Sequence, residues 1–244
     1  MAEWNEQQRS QQQSFTGASV PRTGEVFDEG LRKHMLSIYN YMTSGILLTG
    51  VVALLTARSG LAISFASGPM MWLVALSPLA VVIAMSFGRN KFSQGTLQMM
   101  FWGFAILMGL SLSTIFLVYT GASIAATFFA TAGAFAGLSL YGYTTKKDLS
   151  GWGSFLIMGV VGLIIASVIN MFLGSGTMEL VISFLGVLIF AGLTAYDTQR
   201  LKTEYSMYRG TEYAGKAIIL GALSLYLDFI NMFLFLLRFM GSRE

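Results

Sequence analysis

Seven separate runs of apolar residues, each about long enough to cross a bilayer, constrain this chain more than anything else in it. They fall at approximately 39–55, 71–87, 99–117, 124–143, 155–173, 180–196 and 218–239. About 20 apolar residues in a helix cover a hydrocarbon core about 30 Å thick. Within each run the apolar residues are nearly continuous. They do not recur at the 3.6- or 2-residue period of an amphipathic helix or a half-buried strand. In lipid every backbone N–H and C=O must be satisfied inside the segment, which leaves helices; a barrel would need short alternating strands instead. The connections are short, and those at 118–123 and 174–179 are barely turns. The runs are therefore antiparallel neighbours in one bundle, with no room for an inserted domain and no clear internal repeat. The expected fold class is an all-α integral membrane protein of seven transmembrane helices.

Composition agrees. Apolar residues make up 55% and charged residues 11% of the 244 residues, where an ordinary soluble domain is roughly 25% charged. The net charge of +3 is small, and the basic residues lie between the apolar runs. That suits loops at an anionic lipid surface better than a nucleic-acid face, so the expected partner is the bilayer and not nucleic acid. There is no cysteine, which excludes a disulfide framework, a thiolate metal site and a cysteine nucleophile. Residues 1–34 are polar and carry Gln7, Gln8, Gln11, Gln12 and Gln13. They lack the apolar core, about 7–15 residues long, of a signal peptide. The expected division is a polar cytoplasmic tail at 1–34, solvated and flexible over 1–30, and a transmembrane domain at 35–244.

Lys and Arg set the orientation. Twelve of them fall in the tail and in the second, fourth and sixth connections, against Arg58 alone in the odd-numbered ones. This places the N-terminus in the cytoplasm and, after seven spans, the C-terminus outside. Arg238 and Arg243 oppose it slightly. The alternative is a re-entrant seventh run with the C-terminus inside.

Acidic groups inside a bilayer are expensive and therefore informative. Of twelve acidic residues, only Asp228 sits deep within an apolar run, in Leu223-Ser-Leu-Tyr-Leu-Asp-Phe-Ile-Asn231; Asp197 ends the sixth run, in Thr194-Ala-Tyr-Asp-Thr-Gln-Arg200. Gly221, Ser224, Asp228 and Asn231 share one face of the seventh helix, and Thr194, Asp197, Arg200 and Glu204 share one face of the sixth. Asp228 lies 12 residues past Lys216, about 18 Å along a helix. If the sixth helix continues to near Tyr208, Asp197 is 11 residues inside that end, about 16 Å. The two carboxylates are then expected to meet at one level. Two carboxylates in contact in low dielectric cannot easily both ionise, so such a pair holds a proton near neutral pH and acts as a pH sensor. It is also an oxygen-rich site suited to Ca²⁺. The other reading is that each aspartate is paired with a hydroxyl, Asn231 or Arg200 and only glues helices together.

Three segments carry a family resemblance: Tyr141-Gly-Tyr-Thr-Thr-Lys-Lys-Asp-Leu149, Ala195-Tyr-Asp-Thr-Gln-Arg-Leu-Lys202 and Leu223-Ser-Leu-Tyr-Leu-Asp-Phe-Ile-Asn-Met-Phe233. Together they resemble the Bax inhibitor-1 family of transmembrane proteins. The short loops and Gln-rich tail look like a bacterial member in the inner membrane. The resemblance is specific from about 138 to 237 and covers the rest in topology. It implies a seven-helix fold with the seventh helix central. It also implies a cation pathway, chiefly a Ca²⁺ leak, gated by protonation of the aspartate pair, here Asp197 and Asp228. Family members have a basic partner near the second helix; Arg89 is the weak match. The resemblance also brings an alternative, a regulator that binds and restrains a membrane-anchored ATP-dependent protease. For that role the tail and a long sixth connection, 203–215, are the expected docking surface.

Thr194, Arg200, Ser224 and Asn231 are the expected supporting residues of the pair. His34, the only histidine, is expected to be a solvated interface residue; a lone histidine is not a zinc site. Lys146 and Lys147 fit a solvated, positive-inside loop. Gly133 and Gly137 form a GxxxG pair read as close helix packing, and Asn170 is read as an interhelical hydrogen bond. Glu179 suits a helix N-terminus through the dipole alone. The seventh run has no lysine for a retinal Schiff base, and no serine–histidine pair lies in the membrane, so a receptor or an enzyme is disfavoured. No cofactor is expected beyond Ca²⁺ as the transported or bound ion.

Overall fold

The computed structural model describes residues 23–243, with side chains from Glu29 onward. Its elements are α1 (Thr23–Arg58), the short α2 (Leu61–Phe65), α3 (Gly68–Gly88), α4 (Gln94–Leu112), α5 (Gly121–Thr144), α6 (Ser150–Leu173), α7 (Gly176–Tyr208) and α8 (Tyr213–Met240). A 3-10 turn, Ser113–Leu117, prolongs α4. Seven of the described helices, all but α2, are long and apolar enough to cross a membrane. The all-α membrane fold expected from the apolar runs is the one formed.

Helix ends differ from the apolar runs where polar residues carry a helix onward. α1 begins at Thr23, so the stretch 23–34, assigned to the tail, continues the first helix; residues 1–22 lie outside the described ones. α7 runs to Tyr208, and α8 starts at Tyr213. The expected long connection 203–215 therefore shrinks to 209–212. Several starts are capped by a hydroxyl that accepts an otherwise orphaned backbone N–H. Ser93 accepts from Thr96 N at 3.1 Å, Thr120 from Ser123 N at 3.2 Å and Ser175 from Met178 N at 3.3 Å.

α8 is the centre of the bundle. Of its most apolar window 61% is buried, against 11% for α3 and for α6. It packs on α7, α1, α5 and α4, whereas α6 leans on α7 and α3 on α4. Tyr226 of α8 is fully enclosed between Phe101 and Phe104. Thr49 donates to Ala105 O at 2.8 Å, which uses its one hydroxyl hydrogen. The Tyr226 O–H, 2.7 Å away, therefore donates to Thr49. On the other flank Phe229 packs against Phe128 and Phe135 of α5.

α8 crosses the full bundle rather than turning back. Its far end is stapled at the opposite face from the connection at 209–212. Thr120 N donates to Ser242 O at 3.2 Å, Ser242 N to Ser123 Oγ at 2.9 Å, and Arg243 pairs with Glu179 at 2.8 Å. Glu179 thus holds the chain end as well as opening α7.

Candidate functional site

The polar stripe of α7 meets that of α8 inside the bundle. Asp197 and Asp228 are both buried. Arg200, one turn along α7 from Asp197, reaches back to it, with Nη1 3.2 Å from Oδ1. Arg200 Nη2 donates to Ser224 Oγ at 3.1 Å, and the Ser224 hydroxyl donates in turn to Asp197 Oδ2. Asp197, Arg200 and Ser224 therefore close a ring that ties α7 to α8. Glu204 extends it, with Oε1 3.6 Å from Arg200 Nε.

Asp228 stands apart. Its nearest charges are those of Asp197 and Arg200, yet among the described residues its Oδ2 is buried without a hydrogen-bond partner. A buried carboxylate oxygen with no donor costs several kcal/mol unless a proton, a cation or water attends it. Asp197 is joined to Ser224, and Asp228 follows Ser224 by four residues on the same face of α8. Of the two carboxylates, Asp197 is engaged by Arg200 and Ser224, while Asp228 Oδ2 has no partner among the described residues.

The remaining expected site residues separate into those the fold brings in and those it does not. Arg200 and Ser224 are brought in, and Arg200 is the basic partner of the pair. Arg89 instead lies near Glu204 and Tyr213, toward the connection between α7 and α8. Thr194 is fully buried and donates back to Phe190 O at 2.8 Å; Asn231 donates back to Leu227 O at 2.8 Å. Both satisfy themselves within their own helix and make no hydrogen bond to the aspartates. No group of three or more His, Cys, Asp or Glu side chains is arranged to hold a metal among the described residues. A resident Ca²⁺ takes six to eight oxygens. Two carboxylates, one of them engaged, fall short of that number.

Sequence reasoning missed the reason two of the three motifs occur together. Gln199, of the Tyr-Asp-Thr-Gln segment, accepts from Leu149 N at 2.8 Å and donates to Lys147 O at 2.7 Å. Lys202 donates to Tyr143 O at 2.7 Å and lies over the Tyr143 ring. Thr198 meets Ser139 at 3.2 Å. The α5–α6 connection is thus clamped onto α7 beside the aspartates. Within it Asp148 Oδ1 accepts from Ser150 N at 2.9 Å, and hydrogen bonds from Ser150 hold its carboxyl below the ordinary carboxylate range. Lys146 and Lys147 stay exposed, as a solvated loop requires.

Three local expectations are corrected. Gly133 and Gly137 face open space, with nothing within 4 Å of where a Cβ would stand. The close approach on α5 is at Gly142, where a Cβ would collide with the Ala195 carbonyl of α7. Asn170 does not bridge helices: its side chain accepts from Ser175 N at 3.1 Å and caps the α6–α7 turn. His34 is buried against Tyr205, ring centroids 5.1 Å apart, rather than solvated.

Comparison with known proteins matches residues 31–244 to the family model described as "Inhibitor of apoptosis-promoting Bax1". The chain belongs to the Bax inhibitor-1 family. Among its relatives, the Inner membrane protein YbhL of Escherichia coli K12 is 47% identical over 219 residues, covering 88% of this chain and 94% of that one. An uncharacterized protein of Caulobacter vibrioides is 48% identical, covering 93% and 96% of the two chains. One of Rickettsia prowazekii is 44% identical, covering 90% and 94%. This Bax inhibitor-1 family member is therefore an integral membrane protein, matched along nearly the full length of these relatives. The residues matched to the family model, 31–244, span the seven membrane-crossing helices and the positions of both aspartates.

Proposed function

We propose that the chain is a pH-sensitive cation leak of the inner membrane, with Ca²⁺ as its cargo and Asp197 and Asp228 as its sensing pair. The observation that carries this reading is the orphan oxygen of Asp228, buried near a carboxylate already held by Arg200 and Ser224. Asp228, whose Oδ2 has no donor among the described residues, is the member that takes the proton. With the proton in place, the ring of Asp197, Arg200 and Ser224 keeps α7 and α8 together and the path closed. When the proton leaves, a second negative charge stands beside the ring. It weakens the hold of α7 on α8 and offers a cation the oxygens that water gave it. Protonation then biases two arrangements of the bundle, as a population shift requires. The relative from Escherichia coli is named an inner membrane protein, which supports that location. In this reading the connection between α7 and α8 faces the cytoplasm and the Glu179 end faces outward, which the twelve-to-one excess of Lys and Arg supports.

The chemistry is transport without bond making, so no enzymatic step is invoked. Restraint of a membrane-anchored protease would draw on the tail and the sixth connection. The latter is reduced to 209–212, so the leak is the reading with a site behind it.

The test is Ca²⁺ flux into proteoliposomes at pH 6, 7 and 8 for the wild-type chain and Asp228→Asn. Flux should rise with pH in the wild type and lose that dependence in the variant. An Asp228→Asn variant with the wild-type pH profile refutes the sensor; no wild-type flux at any pH, with folded protein confirmed, refutes the leak.

A further inference from the structure

A cleft of about 710 Å³ runs between α1 and α5, outside the ring that ties α7 to α8. The two helices both lean on α8 but barely touch each other. The gap between them is floored by Phe229 of α8 and walled by Met42 and Ile46 on one side and Phe135 and Ala136 on the other. Its size falls in the range of roughly 300–1,000 Å³ typical of small-molecule sites. Both walls belong to membrane-crossing helices, so the cleft opens sideways into hydrocarbon. It extends along α1 from Arg32 to Leu47 and along α5 from Tyr143 to Phe128. Each stretch is 16 residues, about 22 Å from end to end, against about 15 Å for half of the hydrocarbon core.

One end of the cleft is marked by charge. Arg32 lines its mouth and is exposed, and among the described residues it makes no ion pair. Its neighbour Lys33 is taken by Glu29 at 2.8 Å. Lys146, Lys147 and Lys202 lie at the same end of the bundle, where with Arg32 and Lys33 they outnumber the exposed acids Glu29 and Asp148. A long apolar trough, open to lipid and closed at one end by an unpaired guanidinium, has the polarity of a phospholipid: hydrocarbon below, phosphate above.

We propose that this cleft is a lipid site, holding one acyl chain of an anionic phospholipid whose phosphate rests against Arg32. The occupant is drawn from the leaflet on the Arg32 side. The cleft is concave along its length, which suits a flexible chain better than the rigid flank of a second copy. Ser139 on its wall is hydrogen-bonded to Thr198, beside Asp197 in the chain, and Phe229 follows Asp228. The lipid thus lies close behind the aspartate pair, though its binding does not depend on that pair conducting ions.

The test uses the full chain in nanodiscs of equal phosphatidylglycerol and phosphatidylcholine, followed by native mass spectrometry of the released protein. The wild type should retain one phospholipid, with phosphatidylglycerol favoured about fivefold, the worth of roughly one basic residue at an anionic surface. Arg32→Gln should keep the lipid and lose the preference. Ala136→Trp and Thr43→Trp fill the trough from opposite walls, and each should lose the lipid. Ile165→Trp, on the exposed face of α6, should keep it and shows that a bulky residue alone is harmless. The proposal is overturned if both trough-filling variants elute as folded protein and still retain the lipid. It is overturned equally if the wild type holds no lipid, holds both headgroups alike, or instead carries a free fatty acid or a second copy of the chain.

Discussion

Arg200→Gln tests whether the ring between α7 and α8 is an electrostatic latch. Removing one partner of a fully buried ion pair costs about 3–5 kcal/mol, because the other charge is left without compensation. Asp197 meets that condition, with 7% of its side chain exposed, but Arg200 is 37% exposed and partly screened by water. Exposed pairs are worth about 0–1 kcal/mol. Between these bounds, Arg200→Gln should cost about 2 kcal/mol. Asp197→Asn should cost less, about 1 kcal/mol, since Arg200 can still turn to Glu204, 3.6 Å away. The double variant decides the matter. If the two side chains act on each other, it should be less destabilised than the sum of the singles by about 1–2 kcal/mol. The assay is reversible unfolding in mixed micelles by a denaturing detergent near neutral pH, with the slope held constant across variants. A coupling within about 0.5 kcal/mol of zero would mean that the two side chains act independently. The ring would then be a geometric coincidence and the gating scheme would lose its latch.

Gly142→Ala places a Cβ on the Ala195 carbonyl and should lower thermal stability in detergent by about 1–3 kcal/mol through overpacking. Gly133→Ala, which meets nothing within 4 Å, should be neutral or stabilising by about 0.5–1 kcal/mol; equal effects at the two positions would contradict the assigned packing. Gln199→Ala releases Lys147 O and Leu149 N, so trypsin should cut after Lys146 and Lys147 several times faster than in the wild type. Asp148 has its carboxyl held below the ordinary value of 3.8 by Ser150. A depressed folded-state value means its support of the α6 start is full above about pH 4 and is lost as pH falls through the lowered value. Hydrogen-exchange protection near Ser150 should decline over that acid range in the wild type and show no such step in Asp148→Asn.

The spans were legible because hydropathy reports the solvent, and lipid demands long apolar runs. Which helix sits in the middle was not legible from hydropathy. The most apolar stretches of α3 and α8 are almost equally hydrophobic, yet 11% of one and 61% of the other is buried. Lipid tails and neighbouring helices are equally apolar, so one scale cannot tell them apart. The centrality of α8 came from the family resemblance. Asp197, Asp228, Ser224 and Arg200 stood out because charge inside a membrane needs a reason. Helical spacing placed them on facing stripes, but it did not show that Arg200 and Ser224 engage Asp197 and leave Asp228 Oδ2 without a partner among the described residues. Thr194 and Asn231 share those stripes, yet they turned inward to their own backbone, a choice that spacing does not record. Gly133 and Gly137 show the same limit, because a GxxxG spacing marks a smooth face without saying what lies against it. Tyr226 stood inside the third motif, two residues before Asp228. Its signal was a polar tip in an apolar run, and it was met by Thr49 from α1.

The two readings of the aspartates, glue and sensor, predict opposite signs for one substitution. If Asp228 only binds helices together, removing its charge should destabilise the bundle, as breaking any buried polar contact does. The geometry points the other way. Asp197 is held by Arg200 and Ser224, while Asp228 Oδ2 has no partner among the described residues. An unsatisfied buried polar group costs about 1–3 kcal/mol. Asp228→Leu, close in size and needing no partner, should therefore stabilise the protein by about that amount while abolishing pH-dependent Ca²⁺ flux. Asp228→Asn should gain less, because its amide still asks for hydrogen bonds. Stability gained where activity is lost is the pattern of a residue kept for function at the expense of the fold. The same micelle unfolding assay measures the sign directly. If Asp228→Leu instead loses 2 kcal/mol or more, as estimated for a broken buried network, Asp228 is glue, and the sensing role must be sought elsewhere in the bundle.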